Sequence, residues 1–163
     1  MSTKQMVFEN TRKMLDQNGF IIDSLDDSRP WGGFFVIKES CAPQFIDHFF
    51  PMLNKSDLLT GKLSPKILLV EPQKKLSWQY HHRRSEVWKL IDGQASVIRS
   101  ETDKESEPTQ MVIGELVELK KGERHRLVGT DTWGVVAEIW IHTDPTNPSN
   151  EEDIVRLQDD FGR

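Results

Sequence analysis

Residues 76–100, LSWQYHHRRSEVWKLIDGQASVIRS, give the clearest indication of the fold class. β-Branched and aromatic residues recur through three runs, 76–83, 86–93 and 94–100, as is typical of β-strands. Asp92-Gly93 is a dipeptide that favours a two-residue turn, so we expect a tight hairpin between the last two runs. The stretch therefore predicts a succession of short antiparallel strands.

The strand pattern continues on both sides of this stretch. Residues 34–38, FFVIK, favour a strand, and no helical pattern interrupts residues 66–142. Closely spaced strands without helices between them indicate an antiparallel sandwich or barrel. The further predicted strands cover residues 66–72, 116–119, 125–129 and 134–142.

Helical patterns occur only outside this region. Residues 3–17 predict a helix that ends at Asn18-Gly19, and residues 43–53 predict a second short helix. Ser149 and Glu152 form a capping-box pattern, which predicts a C-terminal helix. The predicted domains are an N-terminal helical arm, residues 1–28, and one β domain, residues 29–163.

The composition excludes several classes of protein. With 36% apolar and 29% charged residues among 163, the chain is neither low-complexity nor wholly disordered. No apolar run approaches the roughly 18 residues of a membrane span, and residues 1–10 hold no hydrophobic secretion segment, so we expect no membrane partner. The lone cysteine, Cys41, forms no internal disulfide and is expected to be inert, which favours a cytoplasmic location.

The charge distribution argues against a nucleic-acid partner. The chain has 21 basic and 26 acidic residues, a net charge of −5, and no basic stripe stands out. Basic residues occur instead in short pairs such as Lys74-Lys75 and Arg83-Arg84. Such pairs suit a small anionic ligand, for example a sugar phosphate.

Four potential metal ligands lie in or next to the predicted strands. Alternation along residues 76–83 puts Gln79 and His81 on one polar face, and Glu86 begins the next run. His125 begins a later strand. A polar face inside a small barrel needs binding partners, and this set of ligands suits Zn²⁺, Fe²⁺, Mn²⁺, Co²⁺ or Ni²⁺.

The spacing around these ligands resembles the two sequence motifs of cupins. Glu86 is followed by six residues and then Gly93, as in the first motif. Gly114, Gly122 and His125 have the spacing of the second motif. The resemblance covers the glycines, the glutamate and the last histidine.

Three positions depart from the cupin motifs. Lys120 stands where cupins have a proline, and Gly129 stands where they have an asparagine. In the most natural register Arg83 takes the place of the second histidine of the first motif. Either Gln79 replaces that histidine as a ligand, or the site lacks a ligand and binds metal weakly.

Six segments carry a closer resemblance: RPWG (29–32), LSWQYH (76–81), RSEVW (84–88), GERHR (122–126), EDIVR (152–156) and DDFGR (159–163). They are similar to the cupin domain of type II mannose-6-phosphate isomerases, over roughly residues 29–39 and 64–163. The resemblance implies a jelly-roll fold, a divalent metal and interconversion of mannose 6-phosphate with fructose 6-phosphate. The Gln79-x-His81 order also resembles the zinc ligands of type I mannose-6-phosphate isomerases, which supports Gln79 as a ligand.

We therefore predict an all-β protein, a cupin jelly-roll β-barrel with short N-terminal and C-terminal helices. The predicted metal is zinc, with cobalt or manganese as alternatives, acting as a Lewis acid. The predicted partner is a small-molecule sugar phosphate. The predicted metal ligands are Gln79, His81, Glu86 and His125.

The isomerisation also needs a base and cations that bind the phosphate. Glu138 is the candidate base, because a carboxylate in a partly dry site can have a raised pKa. Arg84 is expected at the reacting centre as well as on the phosphate, and alternation turns Arg126 away from His125, which ranks it lower. The candidate phosphate ligands are Lys75, Arg84, Arg126 and Arg156.

Two other functions are compatible with these residues. One is a non-catalytic cupin that binds a sugar phosphate or nucleotide sugar; the other is an iron cupin with dioxygenase chemistry, whose usual set of three histidines and one glutamate is not met.

Leu76, Trp78 and Tyr80 form an apolar face that needs a cover. This face either packs beneath the N-terminal helix or forms a homodimer interface, which we favour.

Overall fold

A computed structural model describes residues 2–159 of the chain. Within these residues, no helix is both long and apolar enough to span a membrane. The helices are α1 (Lys4–Gln17), α2 (Ala42–Phe49) and α3 (Lys55–Leu58). The strands are β1 (Ile22–Arg29), β2 (Gly32–Ile37), β3 (Lys66–Val70), β4 (Trp78–Tyr80), β5 (Arg84–Ser100), β6 (Thr109–Gln110), β7 (Leu116–Leu119), β8 (Arg124–His142) and β9 (Val155–Gln158).

Two long antiparallel strands, β5 and β8, form the frame of the sheet. They pair from Arg84 opposite His142 to Ser100 opposite Arg124. The hairpin predicted at Asp92-Gly93 is wrong, because both flanking runs pair with the same partner strand and β5 continues through the dipeptide. The register shifts on both sides of Gly93, whose φ of +73° suits glycine and whose position leaves no room for a Cβ beside the Trp133 carbonyl.

All strand pairs in the sheet are antiparallel, as predicted. One path runs in the order β1-β2-β3-β8-β4-β9, and β5 joins it through β8. β8 thus pairs with β3 along residues 134–138 and with β4 at His125. This topology brings the two ends of β8 beside different strands, each of which carries polar residues.

The two faces of the sheet bury separate apolar clusters. The inner cluster lies within the wrapped sheet and includes Leu68, Trp88 and Val136. The outer cluster lies between the sheet and the helices, where Leu15 and Phe45 pack on the outward face. Alternation along each strand produces this division, since successive side chains point to opposite faces.

The N-terminal helix begins and ends where the sequence indicates. The Thr3 hydroxyl accepts a hydrogen bond from the Met6 N–H at the start of α1, and Gly19 follows the last turn with a φ of +78°. Residues 22–29 then form β1, which pairs with β2. The domain boundary at residue 28 stays a prediction.

The predicted C-terminal helix is wrong for the described residues. Residues 151–152 form a turn, and β9 pairs with β4. The Ser149 hydroxyl donates to the Asp153 carboxylate at 2.6 Å, and the same carboxylate accepts the backbone N–H groups of His82 and Arg83. These bonds draw the segment along β4 as a strand. Residues 160–163, most of the DDFGR segment, lie outside the described residues.

The apolar face of β4 is covered by the chain itself. Leu76 and Trp78 are buried, and the Trp78 indole donates a hydrogen bond to the Asp103 carbonyl. The Arg124 guanidinium lies 3.9 Å from the centre of the Tyr80 ring. The loop after β5 therefore covers part of this face. Trp78 needs neither the N-terminal helix nor a second copy of the chain to be buried. The homodimer stays a prediction.

Candidate active site

Three buried donor groups meet at one end of the inner cluster. His81 follows β4, Glu86 lies near the start of β5 and His125 lies near the start of β8. Glu86 places one carboxylate oxygen 3.5 Å from His81 Nε2 and the other 3.2 Å from His125 Nε2. Their donor atoms all lie within 4.8 Å of one another, so this His-His-Glu triad could hold a metal ion.

Backbone contacts orient both imidazole rings towards Glu86. His81 Nδ1 lies 2.7 Å from the Asp153 carbonyl oxygen, and His125 Nδ1 lies 2.9 Å from that of Glu123. Because a carbonyl only accepts, Nδ1 carries the proton and the Nε2 lone pair faces the triad. His125 Nε2 is buried, and the Glu86 carboxylate lies 3.2 Å from it. This is the arrangement that metal-ligating histidines adopt, and the residues fit a divalent cation.

The charges of the triad agree with that fit. Burial lowers the pKa of His81 to about 4, so the ring is neutral near pH 7 and available as a ligand. Burial disfavours the charged form of Glu86, but the neighbouring His81 and the permanently charged Arg84 keep the pKa of that carboxyl well below its usual range. A neutral imidazole and a carboxylate are the forms that bind metals.

Gln79 lies beside the triad, whereas Arg83 does not. Gln79 pairs with His125 across β4 and β8, so the two side chains share a face. It lines the pocket described below, and its side-chain amide donates to the Ser77 carbonyl at 3.4 Å. Arg83 follows the end of β4 in a bend and is not a lining residue, and the motif register that places it at a histidine position stays a prediction.

Arg84 packs against two members of the triad. Its Nε donates to Glu86 at 2.8 Å, and its Nη2 lies 3.3 Å from His81 Nε2. Nη1 donates to the Ser149 hydroxyl and to the Asn150 carbonyl. Each nitrogen of the guanidinium therefore has a protein partner. The phosphate-binding and catalytic roles of Arg84 stay predictions, and the geometry favours a positioning role towards Glu86.

Glu138 lies on the inward face of β8 and lines the same pocket as Arg84 and Glu86. The indole N–H groups of Trp88 and Trp140 donate to its two carboxylate oxygens at 2.8 and 3.1 Å. Burial, with the negative charge of Glu86, raises the pKa of Glu138 to about 7. A carboxyl that is held in one orientation and titrates near neutral pH is suited to general acid–base chemistry.

Glu86 of the triad and Glu138 line one pocket of about 100 Å³, whereas His81 and His125 are not among its lining residues. Of the predicted phosphate ligands, Arg84 and Arg156 also line it, whereas Lys75 and Arg126 do not. Arg126 has no exposed surface, and its guanidinium donates to the Leu76 carbonyl and to Glu105. That burial argues against a phosphate role for Arg126. Lys75 forms an isolated β-bridge with Val128 of β8 and is not among the residues that line the pocket.

Comparison with known proteins identifies the domain. Residues 55–159, more than half of the chain, match the family model "Mannose-6-phosphate isomerase C-terminal". The chain belongs to this family. The match confirms the predicted resemblance and, with the structure, the predicted all-β cupin fold. None of the curated proteins matches the sequence.

Solved structures resemble this mannose-6-phosphate isomerase C-terminal domain in fold. The capsular polysaccharide assembling protein CapF from Staphylococcus aureus superposes with a TM-score of 0.54 at 15% identity. CapF with the inhibitor 3-isopropenyl-tropolone gives 0.53 at 16%. Both matches cover 85% of this chain but 34% of CapF, so the chain spans about a third of that protein's length. A recombinant oxalate oxidase in complex with glycolate gives 0.47 at 16%, covering 58% of this chain and 46% of that chain.

Several residues of this family domain's pocket escaped the sequence reasoning. Lys66, the first residue of β3, and Arg29, the last residue of β1, both line it. Trp88 and Trp140 hold Glu138. In the sequence, Lys66 is recognisable only as a charged residue at the start of the apolar run KILLV. A charged residue at the start of a strand is common and does not indicate a functional site. The relation of Lys66 to the site depends on tertiary structure, in which it pairs opposite Glu138 on β8.

Proposed function

We propose that this domain is a metal-dependent sugar-phosphate isomerase that interconverts mannose 6-phosphate and fructose 6-phosphate. The observation that carries the proposal is Glu138, a buried carboxyl with a pKa of about 7 that lines the same pocket as Glu86 of the His-His-Glu triad. Aldose–ketose isomerisation needs a base that can take a proton from carbon and return it. A group that titrates near pH 7 can do both.

The proposed chemistry moves two protons. Glu138 takes the proton from carbon 2 of the open-chain aldose and returns it to carbon 1, and a second proton passes from the carbon 2 hydroxyl to the carbon 1 oxygen. Trp88 and Trp140 keep both carboxylate oxygens in place during these transfers. Return of the proton regenerates Glu138, so the reaction needs no other reactant.

His81, Glu86 and His125, with Gln79 beside them, are the residues that would hold the metal. We propose zinc, with cobalt or manganese as alternatives, because the set combines imidazole nitrogens with carboxylate and amide oxygens. A bound divalent cation would supply a Lewis acid for the negative charge that develops on oxygen. Arg84, bonded to Glu86 Oε2, would fix the orientation of that ligand.

The proposal is tested by a coupled assay on mannose 6-phosphate with chelated protein resupplied with one divalent metal at a time. We expect activity to return with zinc, cobalt or manganese in wild type, and to be lost with His81→Ala. His82→Ala is the matched control, since His82 contributes its backbone N–H rather than a triad donor. Absence of turnover with every metal, from folded protein, would contradict the isomerase.

A second candidate function has one observation in its favour. Arg84 Nη2 lies 3.3 Å from His81 Nε2, so a cation already sits beside one of the metal-binding atoms. That arrangement suits a cupin that binds a sugar phosphate without catalysis. Binding of mannose 6-phosphate without turnover under any metal would support this candidate over the isomerase.

A further inference from the structure

Lys66 is a buried cation inside the pocket. Only 7% of its side chain is exposed, and its Nζ lies 3.4 Å from the centre of the Trp140 ring. Arg84 approaches the same ring to 3.5 Å from β5, whereas Lys66 approaches from β3, on the other side of β8. A buried ammonium group requires a negative partner, because desolvation of an unpaired charge is costly.

The carboxylate paired with Lys66 is Glu151, which is much more exposed than the lysine, and Glu138 also interacts with the Lys66 charge. The Glu151 carboxylate lies 2.9 Å from Lys66 Nζ, yet 71% of the Glu151 side chain is exposed. Glu151 lies in a turn between β8 and β9. An ion pair with one exposed partner is worth little, since water and salt compete for the carboxylate.

We propose that Glu151 occupies the anion-binding position of the pocket and that the phosphate of a sugar phosphate displaces it from Lys66. The inference rests on the proposed function for its choice of ligand. A phosphate has up to two negative charges and three acceptor oxygens, so it pairs with cations more strongly than one carboxylate does. Arg29 and Arg156 line the same pocket and add positive charge along it.

The size of the pocket agrees with this placement. A pocket of about 100 Å³ holds only part of a hexose phosphate, so the rest of the ligand must extend towards the opening. Glu151 marks that opening, since its exposed side chain reaches inwards to a buried amine. The phosphate would then replace the carboxylate at the mouth while the sugar faces Glu138.

Displacement of Glu151 would also act on residues that contact the triad. The segment that carries it holds Arg84 through Ser149 and Asn150, and the Asp153 carbonyl faces His81 Nδ1. Residues 149–153 therefore contact an anion-binding lysine, the arginine on Glu86 and one proposed metal ligand.

The test is a titration of the full chain with mannose 6-phosphate and, separately, with inorganic phosphate. Glu151→Gln should lower the Kd of both by about fivefold, because the competing charge is gone. Glu152→Gln is the matched control: Glu152 is the next residue, is also exposed and is not seen to pair with Lys66, so its Kd values should stay within about twofold of wild type. Mannose without phosphate should show no difference among the three proteins.

Lys66→Met, checked by thermal unfolding, should raise the Kd by about tenfold or more, and adding Glu151→Gln to it should have no further effect. Equal Kd values for Glu151→Gln and Glu152→Gln would overturn the proposal, as would a Glu151→Gln effect that persists without Lys66. Turnover with an unresponsive Kd would contradict this inference alone. The expected Kd pattern without turnover would contradict only the proposed isomerase.

Discussion

The inward and outward faces of β5 and β8 differ sharply although the same two strands form both. Inwards, Glu86 and Trp88 of β5 face Trp140 and Glu138 of β8, and ionisable groups are concentrated there. Outwards, Ile139 packs with the helices in the outer apolar cluster. One step along β8 thus separates the proposed base from a purely apolar contact.

The larger cavity lies on the outward side. It has a volume of about 890 Å³ and lies between α1 and the sheet, with Met14, Phe49 and Trp133 among its lining residues. It contains neither the triad nor Glu138. The comparison teaches that the larger cavity and the proposed active site are different places in this molecule. The convergence of buried ionisable groups marks the proposed site, because burial is what shifts their pKa values.

The largest expected effect is on the inward face. Glu138→Gln keeps the shape of the side chain but removes the base, so kcat on mannose 6-phosphate should fall by about 10³-fold. Zinc binding should be unchanged, because Glu138 is not part of the triad. The measurement is kcat in the coupled assay together with zinc content. A fall of less than about tenfold would exclude Glu138 as the base.

The next residue provides the matched variant on the outward face. Ile139 has no exposed surface, so Ile139→Ala should lower the free energy of unfolding by about 2–5 kcal/mol. The kcat per folded molecule should stay within about twofold of wild type. Urea unfolding and the coupled assay measure the two effects. A large loss of kcat in folded protein would mean that the two faces are not independent.

A smaller effect is expected at Arg84. Arg84→Met removes a positive charge beside His81 and Glu86, so the affinity for zinc should rise by about tenfold. Arg12→Met is the control, since Arg12 lies on α1 and contacts the Phe35 ring of the outer cluster. Chelator competition gives both affinities. Weaker zinc binding in Arg84→Met would instead show that holding Glu86 in place outweighs charge repulsion.

The smallest effect concerns acid stability of the metal-free protein. The pKa of His81 is lowered from 6.5 to about 4, so the unfolded chain binds that proton first and this contribution to stability is lost as pH drops from about 6.5 towards 4. The pKa of Glu138 is raised from 4.5 to about 7, so the folded chain binds that proton first and this contribution has the opposite sign between about pH 7 and 4.5. The two contributions oppose each other in the wild type, and Glu138→Gln, which removes the second, should show the decline due to His81. Burial raises the pKa of Asp153, but hydrogen bonds from Ser149, His82 and Arg83 outweigh it and lower the value to about 2. Its contribution is complete above pH 4 and is lost as pH falls further.

Urea unfolding between pH 7 and 3 measures this dependence. Glu138→Gln should show a decline between about pH 6.5 and 4, and adding Asp153→Asn to it should flatten only the decline below about pH 4. Ile139→Ala should be less stable throughout, with the same dependence on pH, because the outward face contributes none of these groups. A changed slope in Ile139→Ala would link the outer cluster to the titration of the pocket.

Sequence reasoning was most successful where the signal is periodic. The strands near residues 34–38, 66–72 and 116–119 follow from runs of strand-favouring residues, and the helix ending at Asn18-Gly19 follows from its cap residues; both are local properties. It failed at Asp92-Gly93, since a turn dipeptide also suits a bulge in a long strand. It failed again at Ser149, whose hydroxyl bonds to Asp153 instead of capping a helix.

The site residues also include some that sequence reasoning could select and some that it could not. Residue types and motif spacing were enough to select His81, Glu86 and His125 as a group, and the structure brings these three together. Spacing could not show that the Arg126 side chain is fully buried or that Lys66 lies in the pocket. Burial and contact depend on strands that are distant in the chain.

Glu138 shows the physical reason most clearly. Its sequence neighbours identify a strand residue with a carboxyl group, and nothing local gives that carboxyl an unusual pKa. The shift to about 7 arises from burial and from Glu86 on the adjacent strand, and one of its two orienting indoles belongs to Trp88, 50 residues away. Local periodicity could therefore be read from the amino acids, whereas the raised pKa of Glu138 depends on the pairing of β5 with β8 and on the exclusion of water.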